Sequence, residues 1–533
     1  MGAHAVDSKE NAQVPAGEPA GSDLLSNDEA RLARLGKKPV LKRNFGFMTI
    51  LGFSCTVLVT WEGALVLFLV GLQNGGPAGI IYGFIVVWVG MVSIFITLSE
   101  LTSMAPTSGG QYHWVSMLAP ASCRKFLGYL TAWLTLTGWQ AFLASGGYLI
   151  GTLIQGLVIL THPEYLDTMQ NWHGTLLFWA AILVCMSINT AIGSVLAKFE
   201  GVVLVIHIFG FFGVMFPLVL LGEHASAEDV FNTFLNLGNW QTQGLSFCIG
   251  ITGNIFAFLG GDGAIHMSEE IHNADLVVPR SLLTGLFING SLGLGMMIAT
   301  LYCIGDIDAA IAANPNYPFM AVFDTVVGSK AGAAAMASVV VVMAFSATTG
   351  GLASTSRLYW AFARDRGLPG WQALMKTNPK TSIPLNSVLT CSAIAILLSL
   401  INIGSTAAFN GVISISIAGM FGSYLIAASL LLYRRVTNGI RSAKPDDALT
   451  NTVDASLTWG RWRVPGVWGV ANNVFTCIFL VFALFFSFWP TVIDVTPQNM
   501  NWAVLVFGAV LLFSITYYFI WARKVYSGPL VET

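Results

Sequence analysis

Apolar residues gather into stretches of about twenty or more along most of this chain, separated by shorter polar segments. The hydrocarbon core of a bilayer is crossed by roughly 20 helical residues. Runs of that kind fall at 46–71, 78–104, 125–160, 173–193, 198–221, 245–270, 281–305, 332–358, 384–402, 406–433, 468–489 and 501–522. They predict an all-α membrane protein with twelve transmembrane helices in one bundle. The run at 125–160 is longer than a bilayer needs, which predicts that it tilts or projects beyond it.

Two of these spans are interrupted. The first carries Thr60-Trp61-Glu62-Gly63 midway, and the sixth carries Phe258-Leu259-Gly260-Gly261-Asp262-Gly263. A glycine-broken helix holding an acid is tolerated at membrane depth only where protein or a watery cavity surrounds it, because lipid cannot satisfy freed backbone groups. The two interruptions open successive halves, spans 1–5 and 6–10. That is the pattern of a five-plus-five inverted repeat whose broken first and sixth spans face each other.

Composition sharpens the class. Of 533 residues 55% are hydrophobic and only 10% charged, and the mean hydropathy is +0.70, far from the balance of a soluble domain. A net charge of -2 implies no nucleic-acid partner. The seven cysteines show no paired spacing, so neither a disulfide framework nor a zinc site is suggested. No metal-ligand cluster, cofactor motif, G-x-S-x-G elbow or GxxxxGK[ST] loop occurs, so an enzyme or ATPase has no support and any driving force is a gradient or exchange.

Charge also orients the bundle. With a cytosolic N-terminus, 24 of the 25 Lys and Arg residues fall on the inside and only Lys330 on the outside, as the positive-inside rule demands. The expected organisation is a disordered cytosolic tail (1–45), a transport core (46–433), a cytosolic loop (434–467), two accessory helices (468–522) and a cytosolic tail (523–533). Both termini are expected in the cytosol, and the plasma membrane is expected ahead of the vacuole.

Four stretches then resemble a known family. They are Gly75-Gly76-Pro77 with IIYGFIVVW after it, SELTSMAPTSGGQYHWVSMLAP (99–120), FAFLGGDGAIHMSEEIHNADLVVPRS (256–281) and SRLYWAFARDRGLPGW (356–371) with PKTSIPLNS behind it. Spread over spans 1–10, they are similar to the amino acid, polyamine and organocation permeases, and within them to the fungal amino acid and choline branch that includes GABA and choline permeases. The resemblance implies alternating access, with spans 1, 2, 6 and 7 moving against 3, 4, 8 and 9. It also implies a substrate site between the two broken helices.

Candidate residues follow, each with a plainer alternative. Free N–H groups near Thr60, Trp61, Glu62 and Gly63 would suit a substrate carboxylate, and unpaired carbonyls near Ala257, Phe258, Leu259 and Gly260, ahead of Gly261 and Asp262, would suit an ammonium. Alternatively, the glycines only let helices pack closely. Glu62 is an ionisable residue at mid-membrane, so it counters a substrate cation or exchanges a coupling proton, unless it partners a neighbouring polar group. Asp262 either faces the same cavity or caps its half-helix. His207, in the fifth span, sits where the resemblance places a basic residue in proton-coupled members; alternatively it is a satisfied core histidine. Lys198 and Glu200 read as a solvated charge pair. Glu269 and Glu270 resemble the family's inner acids, with Arg280, Arg357 and Arg364 as expected partners in an intracellular gate. Trp61 and Phe258 are the aromatics expected over a substrate cation.

The expected function is a secondary transporter importing an amino acid or amino-acid-like amine, coupled to H+. Its partners would be that small molecule (an amino acid, GABA or a choline-like cation), the coupling proton and the lipid bilayer. A choline or polyamine carrier is the nearest alternative; a nutrient sensor that binds without transporting, or a channel, are the others.

Overall fold

The computed structural model of the protein describes residues 20–191, 196–404, 406–444, 447–497 and 499–532. The first nineteen residues of the expected tail and residues 192–193 of the expected fourth span lie outside them. Among the described residues there are helices and isolated bridges but no strand.

Eleven helices of the described residues are long and apolar enough to cross a membrane. In chain order the elements that matter here are α1 (Ala20–Arg34), α2 (Phe47–Leu58), α3 (Thr60–Val66), α4 (Phe68–Met104), α5 (Gln111–Leu118), α6 (Arg124–Thr161), α7 (Asn171–Ala191) and α8 (Leu196–Leu221). They continue with α9 (Gln243–Gly250), α10 (Thr252–Phe256), α11 (Ala274–Tyr302), α12 (Lys330–Arg364), α13 (Leu385–Ser399), α14 (Thr406–Val436), α15 (Gly466–Ser487) and α16 (Ala503–Tyr517). The predicted sixth span is absent from the eleven because it is divided into pieces too short to count. The 38-residue α6 is about 57 Å long at 1.5 Å per residue, well beyond a ~30 Å hydrocarbon core. It is the central post, packing against α5, α7, α12 and α14.

Two breaks shape the middle of the bundle. α2 ends and α3 begins at Val59, whose φ of 39° and ψ of 48° are left-handed, a conformation a β-branched residue rarely adopts. The interruption therefore lies just before the stretch expected to contain it, and Thr60 to Gly63 form the first turn of α3. The second break follows α10: residues 257–262 turn, Gly260 takes φ +90°, and the chain re-enters a helix only at Gly263–His266, followed by a 3-10 turn at Ser268–Glu270. A Cβ at Gly260 would come within 2.9 Å of the Phe142 ring, so the turn and the approach of α6 both require glycine. Gly76 likewise bends α4, with φ +66° ahead of Pro77 and no room for a Cβ against the Leu235 nitrogen at 2.6 Å.

The segment expected to be a disordered tail differs from that expectation. Leu32 in the last turns of α1 is buried, as are Leu35, Lys37 and Leu41 in the stretch after it. The chain docks here because its charges find partners: Asp28 accepts from the Asn273 N–H at 3.1 Å, Arg31 lies 3.1 Å from Asp275, and the Phe45 N–H donates to the Glu270 carbonyl at 3.1 Å. The C-terminal segment joins the same layer, the Leu530 N–H donating to Asp365 at 2.9 Å and the Lys38 N–H to Glu532 at 2.9 Å. Both ends of the described chain thus meet on one face of the bundle. Connection 306–331 holds helices Ile307–Ala313 and Pro318–Val327 with Phe319 and Phe323 buried.

His113 on α5 belongs to this terminal layer, buried and 3.1 Å from the Asn451 carbonyl. Burial, and after it the Lys37 ammonium, push its imidazole from 6.5 down to about 4. The unfolded chain therefore binds a proton first as pH falls, so the neutral ring contributes stability above pH 6.5 that is lost progressively down to about pH 4. At ~1.4 kcal/mol per unit the loss is of the order of 3 kcal/mol. The melting temperature of the purified protein should fall across that window, and His113→Gln, whose amide can still donate to Asn451, should flatten the fall.

Candidate functional site

Between the two breaks lies a cavity of about 60 Å³, lined by Val57 to Val59, Glu62, Gly63, Val66 and Leu67 from α2 and α3, by Phe256, Ala257 and Leu259 from the second break, and by residues of α6 and α12. Of the residues expected to bind substrate, it brings together Glu62, Gly63, Ala257 and Leu259. Thr60, Trp61, Phe258, Gly260, Gly261 and Asp262 do not line it. Its volume is room for a few water molecules and well below the ~300 Å³ of an ordinary ligand pocket. On the side away from the termini it shares Val66, Leu67 and Leu149 with a vestibule of about 430 Å³ that reaches Tyr317, Ser414 and Asn501.

Glu62 is the cavity's one charged group. It is buried, and its Oε1 lies 2.8 Å from Nδ1 of His207 on α8, itself fully buried. His207 faces inward because α8 turns Phe209, Phe216 and Leu220 outward, leaving its narrow polar seam against α2 and α3. The other carboxylate oxygen and the His207 Nε2 have no partner among the described residues. A histidine and a carboxylate in contact away from water can share or exchange one proton, and each keeps a free atom for a further ligand.

The second break supplies acceptors. The carbonyls of Ala257, Phe258 and Leu259 receive no hydrogen bond among the described residues, whereas that of Gly260 accepts from the Gly263 N–H at 2.9 Å. At the first break two of the expected donors are already occupied: the Thr60 N–H bonds Asn289 Oδ1 at 3.1 Å and the Gly63 N–H bonds the Val59 carbonyl at 2.8 Å. Glu62 is an acid and the carbonyls of the second break are acceptors, so this part of the cavity fits a cationic group.

Asp262 fulfils neither expected role. It makes no side-chain cap and sits off the cavity, accepting from Gln111 Nε2 at 3.0 Å and Trp139 Nε1 at 3.3 Å, with His266 Nε2 at 3.7 Å. Trp61 packs on His207 and Phe211, with ring centroids 6.1 Å away in each case, and Phe258 packs on Phe84 at 4.9 Å, so neither stands over the cavity. The aromatics that do are Phe142 and Phe256, 6.2 Å apart. Phe142 lies between Ala141 and Leu143 with no charged residue near it in sequence to mark it.

Toward the termini two buried ion pairs lock the segment after the second break to α12. Arg364 grips Glu269 with both terminal nitrogens at 2.9 and 3.0 Å, and Arg357 Nε meets Glu270 at 2.8 Å. Arg280, expected to share this role, is exposed and pairs with neither acid among the described residues. Terminal segments extend the lock: Arg364 Nε also lies 3.3 Å from Glu532, and next to it Asp365 is held by Lys37 at 2.6 Å and the Tyr112 hydroxyl at 2.8 Å. Glu200, expected to pair with Lys198 in solvent, is instead fully buried against Thr56, while Lys198 is exposed.

Broken helices around a small buried site, open to a vestibule on one side and locked on the other, define a membrane carrier. The family model described as amino acid permease matches residues 45–510, and the chain belongs to that family. It is similar to a choline transporter of Saccharomyces cerevisiae, 28% identical over 480 residues covering 90% of this chain and 81% of that one. It is also similar to amino-acid permease 2 of Neurospora crassa (25% identical, covering 98% and 93%) and amino-acid permease BAT1 of Arabidopsis thaliana (25%, covering 95% and 97%). The protein is thus an integral, multi-pass membrane permease for a small molecule, and not an enzyme.

Removing the guanidinium from the lock leaves Glu269 buried and uncompensated. Arg364→Ala should cost about 3–5 kcal/mol, as expected for breaking one partner of a buried pair, read as a lowered melting temperature in detergent. Arg280→Ala should leave it unchanged.

Proposed function

We propose that the permease imports an amino acid or amino-acid-like amine, driven by a proton gradient, through alternating access in a twelve-span, five-plus-five inverted-repeat fold. The observation that carries this reading is the Glu62–His207 contact at the wall of the cavity. The substrate ammonium lies against the free carbonyls of Ala257 to Leu259, with Phe142 and Phe256 beside it. A zwitterion also brings a carboxylate, which an ionised Glu62 would repel. An additional proton on the Glu62–His207 pair removes that repulsion, so protonation and cargo binding favour each other and travel together.

The two ion pairs of Glu269 and Glu270 form the inner gate, closed here, and the vestibule is the outer approach. Positive-inside counting places the locked face and both termini in the cytosol. Each charge moved inward across the membrane gains roughly 2.3 kcal/mol per 100 mV, which suffices to accumulate a neutral cargo with one proton.

A choline-like cation is the second reading, favoured by the acid Glu62 in the cavity wall and by the similarity to the yeast choline transporter. Such a cargo needs Glu62 ionised and needs no proton.

The two readings separate in an uptake panel of amino acids, GABA and choline into vesicles at two external pH values. For a proton-coupled amino acid, uptake rises at the lower pH, and Glu62→Gln abolishes that dependence while exchange persists. For choline, uptake does not rise with acidity and Glu62→Gln weakens affinity by about tenfold, near 1.4 kcal/mol. Unaltered pH dependence in Glu62→Gln removes the pair from the coupling step.

A further inference from the structure

Seven residues before His207, about two turns and ~10 Å along α8, the same seam holds a second acid. Glu200 is fully buried, with its Oε2 2.5 Å from the Thr56 hydroxyl on α2 and its Oε1 without a partner among the described residues. No ion pair among the described residues reaches it. On its own helix Lys198 is exposed; on α2 the only other ionisable side chain is Cys55; on α11 Arg280 is exposed; on α12 Arg357 and Arg364 are held by Glu270 and Glu269. The backbone is equally close, since a Cβ at Gly52 of α2 would stand 3.0 Å from the Glu200 carbonyl oxygen.

Hydrogen counting decides which form of the acid fits. The Thr56 hydroxyl has one hydrogen and two neighbours, Glu200 Oε2 at 2.5 Å and the Phe53 carbonyl at 3.3 Å. If Glu200 is ionised, that single hydrogen must serve both acceptors, and a bare charge stays buried with no cation. If Glu200 is protonated, its O–H donates to Thr56 and the Thr56 hydrogen goes to Phe53, so each hydrogen is used once and no charge is buried.

We propose that Glu200 is a second proton-binding site of the permease, filled in this conformation and emptied toward the face bearing the termini when α2 separates from α8. Release is an ordinary acid dissociation: the carboxyl O–H breaks, the electron pair stays on the carboxylate, and the proton passes to water admitted to the opened seam. The role in transport rests on the proton-coupled reading above; the existence of the site does not.

Infrared difference spectroscopy of the purified full chain tests it without a substrate. At neutral pH the wild type should show the carbonyl stretch of a protonated carboxyl that is lost in Glu200→Gln and kept in Glu62→Gln, and Thr56→Val should shift it by removing its hydrogen-bond acceptor. In Glu269→Gln, which loosens the inner gate, the band should weaken at the same pH. Absence of the band in wild type, or its persistence in Glu200→Gln, overturns the site, and an undiminished band in Glu269→Gln overturns release on opening. An amide reproduces the neutral acid, so Glu200→Gln should elute as a folded monodisperse species; failure to fold would mean that the ionised form is the structural one, and would also overturn the proposal. Wild-type uptake with no pH dependence would instead overturn the coupling reading and leave the band in place.

Discussion

An acid among apolar helices must find a cation, a set of donors or a proton, and the interior of this permease is arranged by how each buried carboxylate meets that demand. Glu62 finds a histidine, Glu269 and Glu270 find arginines, Glu100 accepts from Arg435 at 2.5 Å and from the Val464 N–H at 2.8 Å, and Asp262 collects an amide and an indole. The partners in each case come from different helices. These contacts therefore do what generic apolar packing cannot: they set the rotation and depth of α6, α8 and α12 relative to the broken spans.

The backbone obeys the same rule. Freed peptide groups at the two breaks are tolerated because α6, α11 and α12 surround them; Asn289 takes the Thr60 N–H, and the Ser354 hydroxyl donates to the Gly263 carbonyl at 3.2 Å. The carbonyls of Ala257 to Leu259, without a hydrogen bond among the described residues, lie where a ligand could complete the set. Stability and binding are thus divided among neighbouring peptide groups of one turn.

Much of this was legible in the chain. Run length and the glycine-acid interruptions located the helices and both broken spans, and the acid pair with Arg357 and Arg364 was readable as a constellation. Val59 was not, because nothing in its type marks a left-handed conformation; the glycine two positions beyond Trp61 drew the break toward itself. The contact of Glu62 with His207 joins residues 145 apart in sequence and depends on helix rotation, which composition does not encode. Asp262 looked equivalent to Glu62 because both follow a break, yet one faces the cavity and the other the α5–α6 side. The tail at 27–45 is polar enough to suggest disorder, but three buried leucines and a buried lysine dock it, and sparse anchors of that kind carry little periodic signal.

The meeting of the two chain ends has a practical consequence. Glu532 touches Arg364, and its N–H donates to the Gly36 carbonyl at 2.7 Å, so the last described residues are packed onto the Arg364–Glu269 pair. A fluorescent protein or affinity tag fused close behind Glu532 would have to emerge from beside Arg364. For this carrier the customary reporter of location and abundance would also be a wedge, and a long flexible spacer is a structural requirement of any such fusion.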